Sequence, residues 1–205
     1  MEIPMNVNVI CGAESCGNST QLLINPVDEQ VTHLVVAGKT FPNVERMVPV
    51  KYIADTSPDR IKLSCTPAEF ADMEPFMETD FIESGNAGIV LPFGEPYMFW
   101  PYSRYETMPM PLEKKHIPAG EVAIHRGTPV IATDGRIGKV DEFLVYPTND
   151  GISHLILREG HLWGRKDVII PVSEIDKITD EGVYLKMDKR AVEVLPALPV
   201  ERKWE

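Results

Sequence analysis

Residues 134–187 read DGRIGKVDEFLVYPTNDGISHLILREGHLWGRKDVIIPVSEIDKITDEGVYLKM. Apolar runs of strand length (Phe143–Tyr146, Ile152–Leu157, Val168–Val172 and Val183–Leu185) alternate with Asp-Gly, Asn-Asp-Gly and Asp-Glu-Gly turns. Strand runs separated by such turns signal antiparallel hairpins. With no long helical period between them, five or six short strands make a small, strongly bent sheet or barrel.

Working outward, the chain repeats itself. An offset of 121 residues lays Gly17 on Gly138, Pro26 on Pro147, His33 on His154 and Leu34 on Leu155. It also lays Ile3, Val9 and Ile10 on Ile124, Val130 and Ile131. One extra residue later, Pro49, Val50, Ile53 and Leu63 meet Pro171, Val172, Ile175 and Leu185. Two copies are too few for a solenoid and fit a tandem pair of globular modules. The first copy lacks the clean turns of the second: Asp28-Glu29-Gln30 stands where Asn149-Asp150-Gly151 does, with no glycine to take a positive φ. Thr66-Pro67-Ala68-Glu69 is a capping box with proline at the first helical position, which predicts a short helix over 67–73. Asp188 should cap a matching turn through Val194.

The opening DGRIGKV, the middle HLILREG and the IIPVSEI strand-to-turn element together resemble the PRC-barrel family. The resemblance covers 121–198 and, more faintly, 1–76. It implies an all-β protein of two small PRC-type barrels in tandem, each ending in a short helical turn. The organisation is then 1–76 for the first copy, 77–120 for a Pro/aromatic crossover and 121–205 for the second copy with a short tail. The family includes the cytoplasmic domain of the photosynthetic reaction-centre H subunit and the C-terminal domain of a ribosome-maturation factor. Neither relative's functional residues carry over to this chain one for one.

Composition narrows the function. There are 20 basic and 31 acidic residues, a formal charge of −11 with pI about 4.9. A nucleic-acid binder normally presents a net basic face, so nucleic acid is disfavoured as a partner. The longest basic runs, Lys114-Lys115-His116 and Arg165-Lys166, are short. No run of 18 apolar residues spans a membrane, and the N-terminus lacks the basic region of a signal peptide. The expected location is cytoplasmic, with peripheral association to a membrane complex left open. Three cysteines suggest buried free thiols in a reducing compartment. Cys11, Cys16 and Cys65 fall on Ala132, Ile137 and Met187 of the second copy, so they read as small core residues and not as a site.

No catalytic, cofactor-binding or metal-ligating set emerges. His33 and His154 recur in both copies, flanked at i±2 by valines or isoleucines, which reads as a core histidine on an apolar face. Asp141-Glu142 and Asp176 read as strand-end carboxylates facing water. Two glycines in Asp134–Gly138 read as a turn and a bulge, with no nucleotide motif. The crossover carries prolines at 92, 96, 101, 109 and 111, which exclude a long helix or a central strand and favour extended, polyproline-like chain. Its aromatic residues suit a docking surface: Tyr97, Trp100, Tyr102 and Tyr105, with Trp163 from the second copy, are the expected partner contacts. The resulting expectation is a non-enzymatic adaptor or accessory subunit without cofactor, docking on a larger protein assembly such as a reaction-centre-like electron-transfer complex. The alternative is an RNA- or ribosome-associated assembly factor, and an enzyme with a site between the barrels ranks last.

Overall fold

In the computed structural model the run from Gly135 to Val145 is one continuous strand of 11 residues. The structure describes residues 1–39, 44–83, 109–159 and 166–198. In chain order the elements are β1 (Glu2–Ile3), β2 (Asn8–Cys11), β3 (Glu14–Asn25), β4 (Gln30–Gly38), β5 (Glu45–Pro49), β6 (Ile53–Ser57), β7 (Arg60–Leu63) and α1 (Pro67–Ala71). A hairpin of β8 (Met77–Glu83) and β9 (Pro109–Lys115) follows. Then come β10 (Val122–His125), β11 (Pro129–Ala132), β12 (Gly135–Val145), β13 (Ile152–Glu159), β14 (Lys166–Pro171), β15 (Ile175–Thr179), β16 (Gly182–Leu185), α2 (Lys189–Glu193) and β17 (Ala197–Leu198). Among the described residues the protein is mostly β, with two short α-helices. Residues 1–76 and 117–205 form one compact unit, and 77–116 form another.

The larger unit holds two sheets with the same strand order. One runs β5-β4-β3-β2-β7-β6 and the other β15-β16-β11-β12-β13-β14, extended by β17. In each, a parallel pair (β2 with β7, β11 with β16) closes the succession of antiparallel hairpins. The two sheets also trade a strand. Ile3 of β1 pairs with Phe143 of β12, while Ile124 of β10 pairs with Leu22 of β3. The 121-residue offset turns one pairing into the other. All four side chains are fully buried, in one apolar cluster that continues through both sheets. A second reciprocal contact lies at the β3–β4 and β12–β13 turns. There the Val31 N–H donates to the Asp150 carbonyl (3.1 Å) and the Ile152 N–H to the Glu29 carbonyl (2.7 Å).

Bulges recur at equivalent places. Register shifts leave Cys16, Thr20, Thr32 and Ala54 as extra residues in the first sheet, and Ile137, Asp141, Ser153 and Asp176 in the second. Each bulge resets the in–out alternation of its strand. That corrects the expectation for the histidines: counting by twos from Val31 or Ile152 crosses a bulge, so His33 and His154 are half-buried and not core. The hydroxyls of Thr32 and Ser153 cover the bulges, lying 3.2 and 3.0 Å from the Leu23 and Leu144 carbonyl oxygens.

Three further expectations change. The positive φ in the two equivalent turns belongs to Glu29 (53°) and Asp150 (56°), so no glycine is needed there. Cys11 and Cys16 are not free thiols: the β2–β3 hairpin brings their Cα atoms to 5.9 Å and they form a disulfide. Cys65 is the buried free thiol among the described residues, its pKa pushed up by burial. Pro109 and Pro111 lie in a strand and not in polyproline-like chain. Each strand of a two-stranded sheet is an edge, where the missing N–H can face away from the partner.

Both helix predictions hold. Thr66 and Glu69 exchange the bonds of a full capping box on α1, and Asp188 Oδ1 accepts from Ala191 N–H on α2. The Thr66 N–H and hydroxyl hold the Glu69 carboxyl below its ordinary range. A lowered carboxylate pKa stabilises the fold above the unfolded-state value, and the contribution is lost as pH falls through the folded-state value. Glu69→Ala should therefore lower the melting temperature by roughly one to three degrees at neutral pH. The gap from wild type should close in acid, and a gap unchanged there would refute the linkage.

Gly138 answers to a tighter constraint. A Cβ at this position would sit 2.6 Å from the Arg158 carbonyl oxygen, and at Gly17 2.1 Å from that of Ala37. The β12–β13 and β3–β4 backbones approach too closely for any side chain there. Gly138→Ala should destabilise by roughly 1–3 kcal/mol, as overpacking does. Urea denaturation reads this as a shifted midpoint with little change in slope.

Candidate functional site

The bulge at Asp141 aims a carboxylate into the second sheet, where it is 1% exposed. A buried charge is tolerated only when paired and hydrogen-bonded. Two arginines do this. Arg126 Nε donates to Asp141 Oδ1 at 2.6 Å, and Arg158 Nη2 donates to Oδ2 at 2.8 Å. Arg158 Nε also lies 3.6 Å from Oδ1 of Asp167, itself 4% exposed. The expectation that Asp141 and Glu142 face water is thus wrong, since both are buried in mid-strand.

Local chain geometry fixes each arginine. Arg126 follows β10 in a turn bolted to β12: Gly127 N–H donates to the Val140 carbonyl and Val140 N–H to that of Thr128, both at 2.8 Å. Gly127 takes φ of 101° to make that turn. Thr128 Oγ1 donates to the His125 carbonyl at 2.8 Å and closes it from the other side. Arg158 sits near the end of β13, opposite Lys139 on β12 and Asp167 on β14.

These side chains line a pocket of about 880 Å³ that also takes in Arg136, Lys139 and Asn6. Arg136 and Lys139 are exposed at its rim, and Arg126 and Arg158 are half-buried. Among the described residues, the four cations that line it stand against Asp141, which lines it too, and Asp167, which pairs with Arg158, leaving two positive charges (4 − 2). That is a local inversion in a chain of net charge −11.

The first sheet supplies a control. At the 121-residue offset, Arg126, Arg136, Lys139, Asp141 and Arg158 correspond to Met5, Ser15, Asn18, Thr20 and Ala37. The same bulge forms there with a neutral residue, the Thr20 hydroxyl donating to the Val35 carbonyl at 3.3 Å. The ion cluster is therefore no requirement of the sheet geometry. Sequence reasoning missed it because the cations lie at separated positions and form no basic run. The signal was in the repeat, where five neutral residues of one copy face five charged ones of the other.

The partner contacts read from the sequence, Tyr97, Trp100, Tyr102, Tyr105 and Trp163, lie outside the described residues. His33 is placed with Thr32 and Glu121: the Thr32 hydroxyl donates to Glu121 Oε2 at 2.7 Å, and His33 Nδ1 lies 3.0 Å from that hydroxyl and 3.7 Å from that carboxylate. His154 lies at the equivalent position on β13. Among the described residues no group of three or more His, Cys, Asp or Glu is placed to hold a metal ion.

Residues 125–191 match the PRC-barrel domain model, about a third of the chain, and the matched segment holds all four cations of the pocket. No curated protein matches the chain.

The arginine–aspartate cluster makes a stability prediction. Asp141→Asn should destabilise by roughly 1–3 kcal/mol, less than for a fully buried pair because both guanidinium groups reach solvent. The double variant Arg126→Met/Asp141→Thr, which installs the residues found at the equivalent positions of the first sheet and leaves Arg158 on Asp167, should cost less than the single one. Equilibrium denaturation of the two variants decides it, and a costlier double would mean the cluster is structural.

Proposed function

We propose that the protein is a non-enzymatic adaptor or accessory subunit, built as two PRC-type barrels in tandem, that docks on a larger protein assembly through the basic pocket of its second half. The shared strand order and the equivalent bulges support the tandem reading. The observation that carries the docking role is the asymmetry between halves: one keeps the frame neutral where the other concentrates arginine and lysine. Both oxygens of Asp141 accept from guanidinium groups, which suits the carboxylate to an anchoring role. What remains for the pocket is recognition. Arg136 and Lys139 at the rim would steer an acidic group inward, and the pinned arginines would receive it. The net charge of −11 around this pocket also disfavours non-specific polyanion binding, which helps orient the encounter. A cytoplasmic setting belongs to the same proposal, and there Cys11 and Cys16 would stand as thiols. No helix among the described residues is long and apolar enough to cross a membrane.

A second reading, an RNA-associated assembly factor, draws on the same four cations. Counterion release separates the two, because phosphate-backbone binding weakens steeply with salt. The test is affinity capture of native assemblies on wild type and on Arg136→Ser/Lys139→Asn, with RNA binding measured alongside. Wild type should retain a defined set of protein subunits, and the variant should retain about tenfold less. RNA should show no binding at about 50 mM salt. Identical capture by both proteins would overturn the docking site, and RNA binding with a slope of several charges would put the second reading first.

A further inference from the structure

Resting on the reading of the pocket as a recognition site, we infer that its ligand is a phosphate monoester in its dianionic form. Three observations point there. The pocket carries an excess of two positive charges, which one carboxylate would leave half-balanced and a dianion neutralises. Its two inner guanidinium groups are fixed by the same aspartate. Among the described residues, Arg126 commits only Nε, keeping both terminal nitrogens, and Arg158 commits Nη2 and turns Nε to Asp167, keeping Nη1. Those donors come from two separate strands' ends and converge on one space, with Arg136 and Lys139 above them. A tetrahedral oxyanion accepts from several directions at once, whereas a planar carboxylate is matched by a single fork. Prior anchoring of the arginines also lowers the ordering cost of binding. The pocket is of the size that takes a whole small ligand and is far larger than a lone phosphate, so the phosphate arrives attached to a body.

The ligand's own titration gives the sharpest test. The second ionisation of a phosphate monoester lies near pH 6. Among the described residues, the charged groups facing it are Arg126, Arg136, Lys139 and Arg158, with Asp141 and the Arg158-paired Asp167. Among the described residues, His125 adjoins Arg126 in the chain, and its Nδ1 lies 3.2 Å from Thr128 Oγ1. Calorimetric titration of the full chain at constant ionic strength would use a phosphoserine peptide with neutral flanks, glycerol 3-phosphate, methyl sulfate and acetate. Saturable binding of a monoester is expected, about fourfold tighter at pH 7.5 than at 5.5 as the dianion fraction rises. His125→Gln should keep that response. Arg136→Ser/Lys139→Asn, two exposed changes that install the first copy's residues, should weaken binding about tenfold with the melting temperature unchanged. Preference for the peptide assigns the phosphate to a partner's side chain, and preference for glycerol 3-phosphate assigns it to a free metabolite. Equal binding of methyl sulfate or acetate, a flat pH response in wild type or its loss in His125→Gln, or an unaffected double variant would overturn the inference. Should monoesters fail while assembly capture still depends on Arg136 and Lys139, the ligand class falls and the docking site stands. Should monoesters bind while capture ignores both residues, the docking site falls instead.

Discussion

The larger unit depends on two short strands that each lie in the sheet built by the other half of the chain. β1 contributes two residues and β10 four, yet Ile3 and Ile124 are fully buried and carry one apolar cluster from sheet to sheet. Because the exchange is made of main-chain pairing, it demands little of side-chain identity: Ile3 meets Phe143 and Ile124 meets Leu22. It demands register, and register is set by bulges. A single-residue slip would turn every inward side chain outward. The recurrence of bulges at Cys16 and Ile137, Thr20 and Asp141, Thr32 and Ser153, and Ala54 and Asp176 is how two sheets of different sequence keep the same register.

The same bulges mark where reading the sequence succeeds and where it stops. Turn dipeptides, the capping box at Thr66 and the 121-residue repeat are local or periodic signals, and the strands and helices they imply are present. The β-rich character and the family match over 125–191 follow from the same stretch. A bulge has no such signature. Alternation through Thr32 placed His33 on the core side, and reading Asp141 as a strand-end residue put it in water, where the structure has it at a mid-strand bulge. The arginine cluster was illegible for a related reason: Arg126, Asp141 and Arg158 are 15 and 17 residues apart and meet only after the sheet has formed. Cys11 and Cys16 read as packing residues because the second copy packs without them, yet hairpin geometry brings them within bonding reach.

Electrostatically, the chain combines two opposite designs. Its surface is acidic on the whole, which favours solubility and keeps polyanions at a distance. Against that background the second sheet keeps two half-buried guanidinium groups beside a buried carboxylate. Anchoring the carboxylate at a bulge lets it stand still, and a fixed counter-charge keeps both arginines aimed without cancelling them.

Strand exchange also has a consequence for how the chain is made. Leu22–Ile24 of β3 are paired by β10 only after residue 125 has been synthesised, while β1 waits longer still for Phe143 and Leu144. During translation, the first half therefore emerges with one strand edge open and one strand unplaced. Edges in that condition are templates for another chain. At high local concentration, as on a polysome, β10 of one nascent molecule can complete the first sheet of its neighbour, and the product is an entwined dimer with native-like pairing throughout. The long separation between partners thus ties correct pairing within one chain to the pace of synthesis and to the distance between neighbouring chains.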